Sequence, residues 1–422
     1  MKEISSDQFE AEVLNGGKVV VDFYSTECPP CEALAPKFEA LAELYGKDIK
    51  FVKMYRQGNR ELADKLNVKS SPTLLYYNNG VQLSDRQSGG VKRSEIMTSL
   101  DKLITPERAK AIRDSQKPFT SEYDVIILGG GPGGLAAGVY LGQAKINTVL
   151  IDQSLPGGQV STTHEVSNYP GFVKAQNGYM LSHYMAEQTK ESGVTFKVAV
   201  EVTSIDLEKK EVVIDGIETI KAKKIIISTG SSPNSTGAQG EKELKGRGIS
   251  YCATCDAKYF DNKEVIVIGG GNSAVEEADF IAKFASKITM VHQFDAFTAN
   301  KKAIEKLEEN PKISTLFSHE PRSFRSEDGR IYVEVEDLKS KTIKTISADG
   351  VFVFIGMKPN TAGLSNKLEL DQWGYIKTDE DMHTNLPDIF AVGDVRSKKI
   401  RQITTATGDG TIASVIITRE LS

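Results

Sequence analysis

Twice in this chain an apolar run of five or six residues breaks off into three consecutive glycines. Tyr123-Asp124-Val125-Ile126-Ile127-Leu128 enters Gly129-Gly130-Gly131-Pro132-Gly133-Gly134, and Glu264-Val265-Ile266-Val267-Ile268 enters Gly269-Gly270-Gly271-Asn272-Ser273-Ala274. Such runs read as buried strands, and glycines at this spacing permit a turn too tight for side chains. In the first copy Gly129 suits the turn, Gly131 suits close approach of the backbone to a pyrophosphate, and Gly134 suits packing of the next helix on the strand. Leu135-Ala136-Ala137-Gly138 opens that helix, and Asn147 to Asp152 reads as the following strand. Asp152 lies 23 positions after Gly129, where an acid can reach ribose hydroxyls. Strand, glycine turn, helix, strand and acid together predict an α/β fold that holds a dinucleotide.

All four cysteines fall in two Cys-x-x-Cys pairs, Cys28-Pro29-Pro30-Cys31 and Cys252-Ala253-Thr254-Cys255. Cysteines two residues apart can close a small disulfide, and a helix N-terminus acidifies one thiol of the pair. Two pairs in one chain suggest that electrons are handed from one dithiol to the next. A zinc site is the alternative use of four cysteines, but such sites favour short separations, and Cys31 and Cys252 stand 221 positions apart. No metal is expected, and His164, His183, His319 and His383 have no metal-ligand spacing.

At 422 residues there is room for about three domains. A net charge of −5 argues against a nucleic-acid surface and against attraction to anionic lipid. No run approaches the roughly 18 apolar residues of a membrane span, and Met1 to Ser5 carries no apolar signal core. With so few cysteines the expected location is cytoplasmic, where Cys-x-x-Cys pairs are usually catalytic.

The first pair follows the β-rich run Val19 to Tyr24 directly. Glu32 to Leu44 then has helical spacing, with Leu34, Phe38, Leu41 and Leu44 on one face, which puts Cys28 at a helix N-terminus. Lys50 to Met54 reads as a strand, Ser71-Pro72-Thr73 leads into Leu74 to Tyr77, and Asn79-Gly80 is a hairpin turn. Asp22 is a charge inside an otherwise apolar strand, which favours a functional role over a solvated strand end. From Met1 to about Leu103 these residues resemble thioredoxin. The resemblance implies that Cys28 is the exposed attacking thiol and Cys31 the buried resolving thiol. It also implies that Asp22, with Lys53 beside it, takes the proton from Cys31, and that Pro72 is a cis-proline presenting a backbone edge to substrates. The chain departs from the family's usual Trp before the first cysteine and Gly-Pro within the pair, having Glu27 and Pro29-Pro30. A lost backbone N–H and an added negative charge both disfavour a thiolate, so Cys28 is expected to be less acidic than in a typical thioredoxin. Ser94 to Arg113 reads as one charged helical stretch, and periodicity is lost over Asp114 to Ser121. The expected boundaries are a thioredoxin domain over 1–105 and a linker over 106–121. Eight aperiodic residues span at most roughly 28 Å, a tether that keeps the first domain close to its neighbour.

Near the far end, Asp388-Ile389-Phe390-Ala391-Val392-Gly393-Asp394-Val395 places an acid after a glycine at a strand end, like the second FAD fingerprint of two-dinucleotide flavoproteins. Together with Gly157-Gly158-Gln159, Glu165 to Gly171, Cys252 to Asp256, Phe354-Ile355-Gly356, Pro359-Asn360-Thr361 and Arg401-Gln402, this makes the chain from about Ser121 to Ser422 resemble the low-molecular-weight thioredoxin reductases. The resemblance implies two Rossmann-like domains, the second inserted into the first. An FAD-binding domain over 122–233 and 349–422 is interrupted by a central NAD(P)-binding-like domain over 234–348 that carries the redox disulfide. It implies that Cys255 contacts the flavin, that Cys252 attacks the substrate disulfide and that Asp256 is the general acid. Further FAD contacts are implied at Pro132, Gly133, Gly158, Gln159, Asn168, Thr229, Gly230, Gly393, Asp394, Arg401, Gln402 and Ile403, beside Gly129, Gly131, Gly134 and Asp152. Homodimers, protein disulfide substrates and a rotating central domain are implied as well.

The electron donor is the open point. The NADPH-dependent family has His-Arg-Arg-x-x-x-Arg after the second glycine turn, and its arginines hold the 2′-phosphate. Here the stretch is His292-Gln293-Phe294-Asp295-Ala296-Phe297-Thr298, with no guanidinium to meet a phosphate. The position equivalent to Asp152 is His292, so an acid for NADH is missing too. NAD(P)H is therefore doubtful, and the pattern resembles thioredoxin reductases that take electrons from ferredoxin. Lys398, Lys399 and Arg401 are candidates for docking that acidic donor; a nicotinamide or a deazaflavin donor remains the alternative. The flavin subunit of a peroxide-reducing pair and a flavin redox sensor without turnover are the competing functions. A single N-terminal copy argues against the first, and intact dithiols argue against the second. Trp373 beside Gly374 is expected to pack in a turn.

Overall fold

The computed structural model describes residues 1–163 and 166–422, with the backbone alone at Thr254 and Cys255. Glu165, part of the reductase resemblance, and the side chain of Cys255, expected against the flavin, lie outside the described residues.

The N-terminal domain is built on the strand Lys18–Tyr24, whose five inner residues are all buried. It pairs parallel with Lys50–Tyr55 and antiparallel with Thr73–Asn78, and Val81–Ser88 closes the sheet on that side. Asn79 and Gly80 join the last two strands with φ of 49° and 79°, the left-handed pair that a two-residue hairpin turn requires. The helix Pro29–Tyr45 starts with Pro29 and Pro30 in its first turn, where no backbone N–H is needed. Leu34, Phe38 and Leu41 enter the core beside Phe51, Leu74 and Tyr76, and Leu44 packs at its margin.

The stretch expected as one helix over 94–113 is two, Arg93–Asp101 and Pro106–Asp114. Pro106 cannot continue a helix, and the Thr105 hydroxyl caps the new one by accepting the Arg108 N–H at 3.3 Å. Ile112 of this second helix joins the first domain's core, and Phe119 already begins the strand Phe119–Leu128. The linker expected over 106–121 is thereby reduced to residues 115–118, the only ones of that span outside a helix or strand.

In the second domain Phe119–Leu128 lies between Thr148–Asp152 and Glu218–Ile227, all parallel, with Thr195–Val198 at one edge. Glu218–Ile227 pairs antiparallel with Glu211–Ile214 through its first half and parallel with Ile389–Ala391 through its last three residues. The helices Pro132–Gln143 and Ile403–Leu421 cross closely: a Cβ on Gly410 would stand 2.2 Å from the Gly133 carbonyl oxygen.

The chain leaves this domain at Ser231–Pro233 and returns at Met357–Pro359, and the two crossings pair antiparallel with each other. Between them lies an all-parallel sheet in the order Ile249–Ser250, Gly350–Val353, Glu264–Ile268, Lys287–His292, Ile313–Phe317. An antiparallel sheet of His319–Glu327, Arg330–Asp337 and Ile343–Ala348 accompanies it. The central domain was expected to end at 348, yet Gly350–Val353 is fully buried in the middle of its sheet, so the return comes later. Trp373 sits in a turn whose N–H groups bond to Asp371, but at 69% exposure it packs against little. No helix among the described residues is long and apolar enough to cross a membrane.

Candidate active site

Cys28 and Cys31 are joined by a disulfide, with Cys28 at the N-cap of its helix and the Cys31 N–H directed at Cys28 Sγ over 3.3 Å. The Ser71-Pro72 peptide is cis, and the Ser71 carbonyl oxygen is 3.5 Å from Cys28 Sγ, so Pro72 and the pair share one edge. An exposed Cys28 and a buried Cys31 were expected; the two are 9% and 8% exposed, because the Ser71-Pro72 loop covers the first sulfur. Asp22 is 3% exposed and aligned with Lys53 on the next strand. Its Oδ1 has no hydrogen-bond partner among the described residues, and burial pushes its pKa up to about 7 against the pull of Lys53. A carboxylate of that basicity can take up and release a proton near neutral pH.

In the second domain the three fingerprint glycines differ in what surrounds them. A Cβ on Gly129 would lie 2.4 Å from the Ser228 carbonyl oxygen, and one on Gly134 would lie 2.1 Å from that of Gly129. Gly131 has nothing within 4 Å of that position and faces open space. Pro132 and Gly133 begin the helix, and Gly158, at φ 56°, brings a second glycine segment to within 3.2 Å of Gly131 Cα. Asp152 closes the turn from beneath: its Oδ2 accepts the Gly130 N–H at 2.7 Å and its Oδ1 accepts the Ser154 N–H at 2.8 Å. Burial raises its pKa.

Around this opening, Thr229 donates to the Asn360 carbonyl and Asn360 returns a bond to the Thr229 carbonyl, each at 2.8 Å, beside Gly230 at φ 68°. Gln159 donates to the Ser231 carbonyl at 3.3 Å, and Asn168 donates to Gln402, which precedes the helix starting at Ile403. Gly393-Asp394-Val395 forms a single turn. Asp394 Oδ1 is buried without a hydrogen bond from the described residues, 3.7 Å from Lys398 Nζ, and burial raises the pKa of this acid. Arg401 lies 3.9 Å over the Tyr375 ring with its Nε unbonded. An open glycine cradle flanked by buried polar atoms without partners is what a pyrophosphate and a polyhydroxyl chain would complete. These residues fit FAD.

Cys252 is also disulfide-bonded and leads into the short helix Ala253–Asp256. Ser250 Oγ donates to Asp256 Oδ2 at 2.5 Å and accepts the Cys252 N–H at 3.1 Å. One hydroxyl thus ties the acid to the cysteine, a role the sequence signalled only by a small polar residue two places before Cys252.

A family model for pyridine nucleotide-disulphide oxidoreductases matches residues 123–410, and a thioredoxin model matches residues 1–102. The thioredoxin reductase of Peptoclostridium litorale is 44% identical over 303 residues, covering 69% of this chain and 95% of that protein. That of Bacillus subtilis (strain 168) is 41% identical over 293 residues, covering 69% and 92%. Among solved structures, the Streptococcus pyogenes MGAS5005 thioredoxin reductase aligns with a TM-score of 0.66 at 36% identity, over 71% of this chain and 98% of that one. The chain belongs to the thioredoxin reductase family.

As a thioredoxin reductase it is a flavoprotein disulfide oxidoreductase, with a thioredoxin domain on the same chain. That domain touches the FAD-binding domain through its cysteine-bearing helix. Glu32 pairs with Lys190 at 2.7 Å, and Lys37 Nζ donates to the Ala199 carbonyl at 2.6 Å and to its own domain's Val91 carbonyl at 3.1 Å. A cavity of about 530 Å³ remains between them, lined by Pro29 and Pro36 on one side and Leu155, Tyr179 and Phe196 on the other.

In this thioredoxin reductase the second glycine turn is filled from within. A Cβ on Gly270 would come 2.4 Å from the His292 ring, which is 6% exposed and which burial holds below its ordinary pKa. Phe297 lies nearly parallel to that ring at 6.1 Å, and Phe294 meets it edge-on at 5.3 Å. The Thr298 N–H closes on the Gly270 carbonyl at 2.8 Å. Lys301 and Lys302 lie on the exposed start of the next helix.

Proposed function

We propose that this thioredoxin reductase passes electrons from reduced ferredoxin through FAD to Cys252–Cys255, then to Cys28–Cys31, and finally to protein disulfides. The observation that carries the donor assignment is the His292 ring lying against Gly270. An aromatic, uncharged cluster stands where an NADPH enzyme needs arginines and an NADH enzyme needs an acid. FAD, when bound, accepts electrons singly and releases them in pairs, which suits a one-electron donor and a disulfide acceptor.

The chain's own groups have separate tasks. Cys252 is the nucleophile toward the incoming disulfide, and Asp256, anchored by Ser250, holds the proton for the departing thiolate. In the first domain Cys28 attacks the target and Asp22 takes the proton of Cys31. Gly129, Gly131, Gly134, Asp394 and Arg401 hold FAD. Of the three cations considered for ferredoxin docking, Lys398 is bound to Asp409 at 2.9 Å and Arg401 lies over Tyr375, so Lys399 alone stays exposed for a partner. The reading includes a cytoplasmic homodimer, for which exposed Tyr140, Ile412 and Val415 on the two crossing helices supply apolar area.

Anaerobic stopped-flow mixing of the flavin-loaded protein with reduced ferredoxin, NADH and NADPH tests the donor. Rapid bleaching of the flavin band by ferredoxin alone is expected. Rapid bleaching by micromolar NADPH or NADH overturns the assignment.

A further inference from the structure

Glu241 is a densely bonded buried acid of the central domain, and none of its bonds from the described residues comes from a cation. At 2% exposure its two oxygens accept from five donors. Ser235 Oγ reaches it at 2.7 Å, Thr236 Oγ1 at 2.7 Å, the Thr236 N–H at 3.2 Å, the Gly237 N–H at 3.2 Å and the Tyr251 hydroxyl at 2.6 Å. Burial alone would raise the pKa of this carboxyl, but the bonds from Tyr251, Ser235 and Thr236 outweigh it and hold the pKa below its ordinary value.

The donors come from two places that matter. Ser235, Thr236 and Gly237 directly follow Ser231–Pro233, the strand by which the chain enters the central domain. Tyr251 is the residue before Cys252. The Tyr251 ring also faces Lys245, whose ammonium is 5.5 Å from the ring centroid and 3.4 Å from Gln159 Oε1 of the FAD-binding domain. The interdomain crossing, the flavin-domain segment at Gln159 and the segment bearing Cys252 therefore meet at one carboxylate and one phenol.

We infer that Glu241, acting through the Tyr251 hydroxyl, is a positioning residue that holds Cys252 in disulfide-forming register relative to the interdomain crossing. The inference rests on Cys252 being redox-active. Tyr251 and Ser250 grip the backbone on the entry side of Cys252, so the sulfur's freedom is small while the phenol is anchored. Releasing the phenol adds alternative positions for the Cys252 thiol, lowers its effective concentration toward its partner cysteine and shifts the pair toward the dithiol. A hydrogen bond to a buried charge is worth about a factor of ten in such an equilibrium.

The test uses the full chain carrying Cys28→Ser and Cys31→Ser, so that only the second pair titrates. Protein is equilibrated in dithiothreitol redox buffers, alkylated and analysed by mass spectrometry, a readout that needs no turnover. Tyr251→Phe removes one hydroxyl and no packing, leaving four donors on Glu241. It is expected to shift the disulfide–dithiol equilibrium about tenfold toward the dithiol, with the thermal midpoint and flavin content unchanged, and Glu241→Gln is expected to shift it in the same direction. Equilibria within twofold of the parent in Tyr251→Phe overturn the inference, whatever Glu241→Gln does. A parallel Cys252→Ser variant with Cys28 and Cys31 intact separates the two readings. If it still reduces the first pair, the role of Cys252 itself fails; if it does not while Tyr251→Phe is silent, only the positioning role fails.

Discussion

Replacing Asp22 by asparagine tests the buried acid of the thioredoxin domain through stability alone. The carboxyl is 3% exposed, one oxygen lacks a hydrogen bond, and its pKa is lifted from 3.8 to about 7, chiefly by burial. The fold therefore retains a proton that the unfolded chain releases near pH 4. For an acid whose folded pKa is raised, stability from this group is full below the unfolded pKa. It declines as pH rises, because the native state binds more protons than the unfolded state. The decline runs at about 1.4 kcal/mol per pH unit between pH 4 and pH 7, to about 4 kcal/mol in all. A carboxamide does not titrate, so Asp22→Asn should match the parent near pH 4 and exceed it progressively up to pH 7, with no further gain above. Pulse proteolysis across a urea series, scoring survival of the N-terminal fragment at pH 4.5, 6 and 8, reads this directly. Parallel stability profiles for the two proteins would refute the argument that Asp22 is a proton-holding group.

The glycine cradle and the domain contact give further expectations. Gly131→Ala places a methyl group in open space, so apo stability should change by less than about 0.5 kcal/mol while flavin retention falls at least tenfold; Gly134→Ala collides with the Gly129 carbonyl and should unfold the domain. Absorbance of the purified proteins and their melting curves separate these outcomes. Lys37→Ala removes the ammonium that bridges the Val91 and Ala199 carbonyls, weakening the domain contact by about 2 kcal/mol and speeding proteinase K cleavage within residues 115–118 several-fold.

What was legible in the sequence was whatever backbone sterics or an out-of-place charge dictates. The glycine turns could be read because only glycine tolerates carbonyl oxygens 2.1 and 2.4 Å from a Cβ position, and Asp22 because a charge stood in an apolar strand. The offset from Gly269 singled out His292, but that its ring lies on Gly270 depends on side-chain direction, which periodicity does not carry. Ser250, Tyr251 and Glu241 were missed because their value lies in partners six to ten positions away, and hydroxyl and carboxylate residues at that spacing have no distinctive pattern. The strand Gly350–Val353 was assigned to the wrong domain because four buried apolar residues look alike in either sheet. The helix break at Pro106 was overlooked because charged, helix-forming residues flank it on both sides.

The relay itself is tested most directly by trapping thiols. Flavin is reduced anaerobically by light in the wild-type chain and in Cys252→Ser, and samples are alkylated at intervals and mapped by mass spectrometry. Labelled Cys28 and Cys31 should accumulate in the wild type and stay absent in Cys252→Ser. Equal labelling of the first pair in both proteins would contradict the route from one cysteine pair to the other.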